Sequence, residues 1–274
     1  MRIRFRFVKL GKIRFTSQRD VARMWERALR RAELPLAYTA GFSPRPQLSF
    51  GLALPTGCES FAEYLDVVLD DLRTETSAVD LASLPARLTG LLPDGIGVEE
   101  AAPVDRRDGS LQQRVTSCSW TMYFAGISRA ALIDRVASLL AAGSVLIVRE
   151  RKGRQEHDDL RPSVLSLEVI PPRPGADESA GQGSVAVAAE LATQPRGVRP
   201  IELVRGLIAV SDVPASRVED ATAGDGWSTG VPVLDRACRT NQWIERDGRR
   251  EEPLQRRGAT PAAGRAAHAL ERAS

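Results

Sequence analysis

Apolar residues recur at two different periods in the first part of the chain. Residues 2–8 read Arg-Ile-Arg-Phe-Arg-Phe-Val, with Ile3, Phe5 and Phe7 on one side and Arg2, Arg4 and Arg6 on the other. A period of two predicts a half-buried strand whose outer face is basic. The period then lengthens. Val21, Met24, Trp25, Ala28, Leu29 and Ala32 form a stripe at helical spacing, and Arg19, Arg23, Arg27 and Arg30 fall on the opposite face. Ser17 is placed to cap this helix and Pro35 to end it.

Shorter elements follow. Strands are predicted at 36–40 and 47–54, flanking Gly41-Phe42-Ser43-Pro44-Arg45-Pro46, where two prolines set an extended path. Another strand fits 62–69, a helix capped by Ser83 fits 84–92, and the Pro93-Asp94-Gly95 turn leads to a strand at 96–101. A similar order then returns: a strand at 118–125, a helix at 128–142 between Ser128 and Gly143, a strand at 144–149, a charged loop at 150–162, strands at 163–170 and 184–192, and a helix from Pro200. Arg45-Pro46 and Arg161-Pro162 hold similar places in the two series. The fold class expected is α+β, with two ferredoxin-like (split βαβ) halves in tandem, 1–105 and 112–210. The polar stretch 101–117 reads as a linker and 171–183 as a mobile loop. The pattern weakens over 211–244, and 245–274 reads as a disordered tail poor in large apolar residues.

Charge changes this picture more than composition does. The 274 residues carry a net +3, but residues 1–31 hold eleven Lys or Arg against Asp20 and Glu26, so the remainder of the chain is net negative. Such a patch points to an anionic partner. Cys58, Cys118 and Cys238 are too few and too widely spaced for a disulfide framework or a Cys-rich metal centre. No apolar run of about 18 residues suggests a membrane span. A reducing cytoplasm, with no membrane partner, is the expected setting.

Guanidinium groups at helical spacing can follow a phosphate backbone. Arg2, Arg4, Arg6, Arg19, Arg23, Arg27, Arg30, Arg45 and Arg161 are therefore the candidate anion-binding or nucleic-acid-binding residues. Phe5 and Phe7 belong to the core face, so base stacking on them is not expected. The 41–50 loop either presents Arg45 to a ligand or simply joins two strands. In Glu156-His157-Asp158-Asp159-Leu160-Arg161, His157 is the weak candidate for acid–base work; an exposed charged loop is the plainer reading. No metal site is expected. Cys58 reads as a buried thiol before a reactive one.

The run Arg14-Phe15-Thr16-Ser17, Trp25-Glu26-Arg27-Ala28-Leu29-Arg30-Arg31-Ala32, Gly41-Phe42-Ser43-Pro44-Arg45-Pro46 and Glu63-Tyr64-Leu65-Asp66-Val67, with Asp159-Leu160-Arg161-Pro162 later, resembles the radical-SAM-linked protein family, a bacterial domain of unknown function. The resemblance implies a stand-alone accessory chain that works with a radical SAM enzyme. The iron–sulfur cluster and SAM would sit on that partner and no cofactor on this chain. The expected function is an accessory protein, without assigned catalysis, that binds RNA or another anionic partner through its basic N-terminal face. The alternatives are a ferredoxin-like endoribonuclease or RNA-modifying enzyme, and a structural docking subunit.

Overall fold

The computed structural model describes residues 1–71, 79–151, 153–171, 185–211 and 231–254. The loop expected at 171–183 lies almost wholly outside these residues, as does the 255–274 part of the expected tail. The chain is a mixed α+β protein with a mostly antiparallel sheet and few helices. It divides into two compact units: Met1–Thr116 together with the chain from Arg239 onward, and Ser117–Cys238. Among the described C-terminal residues, 231–238 thus fall in the second unit and 239–254 in the first.

In the first unit, β1 (Arg2–Lys9) precedes α1 (Gln18–Arg31). Then come β2 (Leu48–Phe50), β3 (Glu59–Val68), α2 (Leu84–Thr89), β4 (Ile96–Val104) and the single turn α3 (Leu111–Arg114). β1 pairs antiparallel with β3 and β4, and β2 pairs antiparallel with the other edge of β3, giving the order β4-β1-β3-β2. The alternation in β1 has its expected effect on one face: Ile3, Phe5 and Phe7 are buried against Val21, Trp25, Ala28 and Leu29 of α1. The Trp25 ring lies 5.7 Å from Phe5 and 5.0 Å from Phe7, the latter edge-on. Such aromatic contacts contribute about 0.5–1.5 kcal/mol beyond their buried area.

Ser17 caps α1 as predicted. Its Oγ accepts the Asp20 amide at 3.2 Å and donates to Asp20 Oδ2 at 2.7 Å. After Ala32, Glu33 adopts φ 53° and its amide bonds to Arg30 O, so the helix stops before Pro35 is reached. Residues 36–40 form no strand; Leu36 and Tyr38 make single bridges to Leu69 and Pro46. Ser83 does not cap α2, since its hydroxyl donates to Asp80 O instead.

The second unit contains β5 (Val115–Ala125), α4 (Arg129–Ala141), β6 (Leu146–Arg151), β7 (Arg154–Asp159), β8 (Val164–Ile170), β9 (Val185–Ala192) and α5 (Pro200–Ala209). β9 pairs antiparallel with β5 and β8, while β6 and β7 form a separate hairpin. That hairpin replaces the predicted loop at 150–162. Gly153, at φ +74°, makes its turn, and β7 (Arg-Gln-Glu-His-Asp-Asp) is paired without any apolar residue. Leu132, Val136 and Leu139 of α4 and Leu203, Val204 and Leu207 of α5 are buried.

Two further strands lie where no pattern was legible. β10 (Val233–Arg246) and β11 (Arg249–Glu251) form a hairpin through Asp247 and Gly248, both at positive φ. An Asp-Gly turn with two left-handed residues matches the twist of an antiparallel ribbon. Residues 245–254 are therefore ordered structure, not tail. No helix among the described residues is long and apolar enough to cross a membrane.

Candidate nucleic-acid interface

Arg4 and Arg6 of β1 are buried, and Arg2 is half-buried. Opposite the Phe face, a second layer of side chains covers them. Arg4 is 0% exposed and holds Asp66 bidentately, through Nε at 2.7 Å and Nη2 at 2.8 Å, while Nη1 donates to Pro253 O at 3.2 Å. Arg6 donates to Glu99 at 3.0 Å, Glu252 at 2.5 Å and the Tyr64 hydroxyl at 2.7 Å. Burial alone would lower its pKa; Tyr64, Glu252 and Glu99 together outweigh that and raise it. Arg2 donates to the carbonyls of Asp105 and Asp108. The cover is built from Leu111 of α3 and the segment after β11, whose Leu254 packs on Ala62 and Tyr64. On β10, Arg239 is buried and holds Glu63 at 2.6 Å. The expected basic outer face of β1 is therefore a neutralised interior, and Arg2, Arg4 and Arg6 are structural.

The outer face of α1 is different. Arg19, Arg23, Arg27, Arg30 and Arg31 are all exposed. Arg23 pairs with Asp20 at 3.4 Å and Arg30 with Glu26 at 3.3 Å, both on the helix surface. Arg19, Arg27 and Arg31 have no ion-pair partner among the described residues. Fourteen residues of helix extend this ridge over about 21 Å.

Features at each end of α1 extend the ridge. Before it, the 3-10 turn Gly11–Phe15 exposes Lys12 and Phe15, and the Arg14 guanidinium lies 4.7 Å over the Phe15 ring. Lys9, buried beneath, donates to Thr16 O at 2.9 Å and fixes the turn to the strand. After α1, the loop holding Arg45 is clamped at its base. Thr39 N donates to Arg45 O at 2.9 Å, Arg45 N to Thr39 Oγ1 at 3.1 Å, and Gln47 N to Ala37 O at 2.9 Å. With no strand at 36–40, the loop does not join two strands; it leads from the isolated bridges of Leu36 and Tyr38 into β2, and it leaves Arg45, Tyr38 and Phe42 exposed. The exposed aromatic side chains were not foreseen. Their identity was visible, but nothing in the local pattern distinguishes Phe15 or Phe42 from a core residue.

The remaining candidates lie in the second unit. Arg161 belongs to the second unit, where Nε and Nη2 donate to Leu140 O at 3.3 and 3.1 Å and so cap the last turn of α4. His157 is exposed on β7, opposite Val148. Its neighbour Asp158 is held by Arg196 at 2.5 Å and Arg149 at 3.3 Å, and both arginines also reach Glu202. Asp159 accepts the amides of Val145 at 2.8 Å and Arg161 at 3.0 Å. Asp158 and Asp159 are thus engaged in ion pairs and backbone hydrogen bonds, while Glu156 is exposed beside His157. Among the described residues, no group of three or more His, Cys, Asp or Glu is arranged to hold a metal ion. Cys58 is buried, and burial pushes its thiol up to about 11.

Among solved structures, a chain of the "Crystal Structure of a Cbf5-Nop10-Gar1 Complex" is similar over 87% of this chain and 49% of its own, with 9% sequence identity and a TM-score of 0.44. This chain spans about half the length of that one. No curated protein sequence matches. One family matches residues 2–200, which is most of both units, and the chain belongs to it: the family described as "Uncharacterized protein conserved in bacteria (DUF2344)".

Proposed function

We propose that this chain is a non-catalytic accessory protein that binds RNA through the exposed face of α1. The observation that carries the reading is the ridge of five exposed arginines, three of which have no carboxylate partner among the described residues. Solvated guanidiniums at one-turn spacing gain most from a polyanion, which releases counterions as it binds. Arg45 and Lys12 extend the same charge beyond the two ends of the helix. The resemblance of the first block to radical-SAM-linked proteins supports a place for this chain beside a radical SAM enzyme in the cytoplasm, with the cluster and SAM on that partner. The tandem ferredoxin-like reading is supported by strand order: β4-β1-β3-β2 and β10-β5-β9-β8 are the same arrangement of four strands, although only the first part of β10 belongs to the second unit.

The test is a salt titration of RNA binding by fluorescence anisotropy. A charge-reversed variant, Arg19→Glu with Arg27→Glu and Arg31→Glu, is compared with the parent chain. Three lost phosphate contacts reduce the slope of log K against log salt by about 2 for a single strand. Parent and variant binding with equal affinity and equal slope would sink the reading.

A further inference from the structure

The ridge accounts for phosphates but leaves the exposed rings beside it without a role. Among the described residues, the large aromatic side chains that stand exposed are Phe15, Tyr38 and Phe42. Phe5, Phe7, Trp25, Tyr64, Trp120, Tyr123 and Phe124 are buried, and Phe50, Phe61 and Trp243 are half-buried. Phe15 lies in the turn before α1, and Tyr38 and Phe42 lie in the segment between α1 and β2. Phe15 is 63% exposed although a partner already holds it: the Arg14 guanidinium sits over the ring and is itself anchored to Glu59 at 3.5 Å. Phe42 is fully exposed on a loop whose base is fixed by the Ala37, Thr39 and Arg45 hydrogen bonds.

Their placement is as informative as their exposure. The Arg14 carbonyl accepts the Gly57 amide at 2.9 Å, which ties Phe15 to the end of the sheet where β1 finishes. Leu36 bridges Leu69, whose amide donates to Met1 O at 2.8 Å, which ties the Phe42 loop to the end where β1 starts. The rings therefore mark opposite ends of the arginine ridge. A duplex shows such a surface phosphates, sugars and groove edges but no free base faces, because its bases are stacked. A single strand offers phosphates along its length and free base faces as well.

We infer that the ligand of the α1 face is single-stranded RNA, whose backbone follows the arginine ridge while unpaired bases stack on Phe15 and Phe42. This rests on the RNA-binding reading above and adds the structural class of the RNA.

The experiment compares a 12-nucleotide single strand with a blunt RNA duplex of equal phosphate number, using the full chain and its Phe15→Ala/Phe42→Ala variant. Both rings are exposed, so the variant is expected to keep the parent melting temperature. The single strand is expected to bind at least tenfold more tightly than the duplex. The double variant is expected to lose about tenfold in single-strand affinity per ring while keeping the parent salt slope. As a direct reading of stacking, Phe15→Trp is expected to bind like the parent and to show indole fluorescence quenched by the single strand and not by the duplex. Equal binding of both RNAs with no effect of the double variant overturns the stacking inference while the ridge stands. No salt-dependent binding of either RNA overturns the ridge and the inference together.

Discussion

Replacing Asp66 by alanine removes the carboxylate that neutralises Arg4 in the interior of the first unit. The Arg4 side chain is 0% exposed and that of Asp66 4% exposed, and two hydrogen bonds of 2.7 and 2.8 Å join them. With Asp66 gone, the Arg4 guanidinium keeps the Pro253 carbonyl, and Arg2 loses its carboxylate at 3.9 Å. Leaving one partner of a buried pair uncompensated costs about 3–5 kcal/mol. That is a large share of the roughly 5–15 kcal/mol by which domains are stable. At an m-value near 3 kcal/mol/M in urea, the midpoint falls by about 1–1.7 M. Equilibrium urea unfolding, followed by circular dichroism, measures it. The companion variant Arg4→Met/Asp66→Leu removes both charges together and is expected to recover most of the loss, since well-packed apolar replacements of buried pairs are often neutral. A single variant within about 1 kcal/mol of the parent chain, or a double variant as damaged as the single, refutes the reasoning. The double variant also separates fold from function: its RNA affinity is expected to equal that of the parent, because Arg4 is buried behind Leu254 and Pro253 rather than displayed.

Other consequences are local. Gly95 sits at φ +89°, and an added Cβ would meet the Leu10 carbonyl and lie 2.9 Å from Ile13 Cγ2. Gly95→Ala is expected to destabilise the chain by about 2 kcal/mol, in line with a strained left-handed residue, and thermal unfolding checks it. Cys58, Cys118 and Cys238 are all buried, so a thiol reagent at pH 8 is expected to leave the native chain unmodified and to label all three cysteines in denaturant. The backbone amides of Val145 and Arg161 hold the Asp159 carboxyl below the usual carboxylate range. A carboxyl depressed on folding contributes stability that is present above its unfolded pKa and is lost as pH falls through its folded pKa. Asp159→Asn is therefore expected to weaken the chain near neutral pH and to flatten its loss of stability below about pH 4, as measured by melting temperature against pH.

The parts of the fold that were legible are those whose reason is local. The α1 stripe, its Ser17 cap and the inward face of β1 each follow from neighbours a few residues away. The outward face of β1 was misread because its partners are remote. Asp66, Glu99 and Glu252 lie 62, 93 and 246 residues from the arginines they pair with, and no pattern at residues 2–8 distinguishes an alternating strand facing water from one facing a polar interior. β7 was missed for a related reason: it carries no apolar residue, and its register comes from pairing with β6 across Gly153. The β10–β11 hairpin carries only the Asp247-Gly248 turn as a sequence signal, set in a composition that resembles a tail.

The N-terminal excess of positive charge thus has two separate physical meanings, which burial tells apart. The arginines of β1 alternate with aromatics, so they share the fate of a strand covered on both faces, and each is answered by a carboxylate or carbonyl of the first unit. The arginines of α1 share a helix whose other face is already buried, so they face water. Salt should distinguish the two groups: exposed charges are screened over about 8–10 Å at moderate ionic strength, whereas a buried bidentate pair is little affected. Rising salt is thus expected to weaken the hold of α1 on a polyanion long before it loosens Arg4 from Asp66, so RNA can be released while the first unit stays folded. A single charge imbalance in the sequence thus holds the sheet together on one element and, in the function proposed above, presents a binding surface on the next.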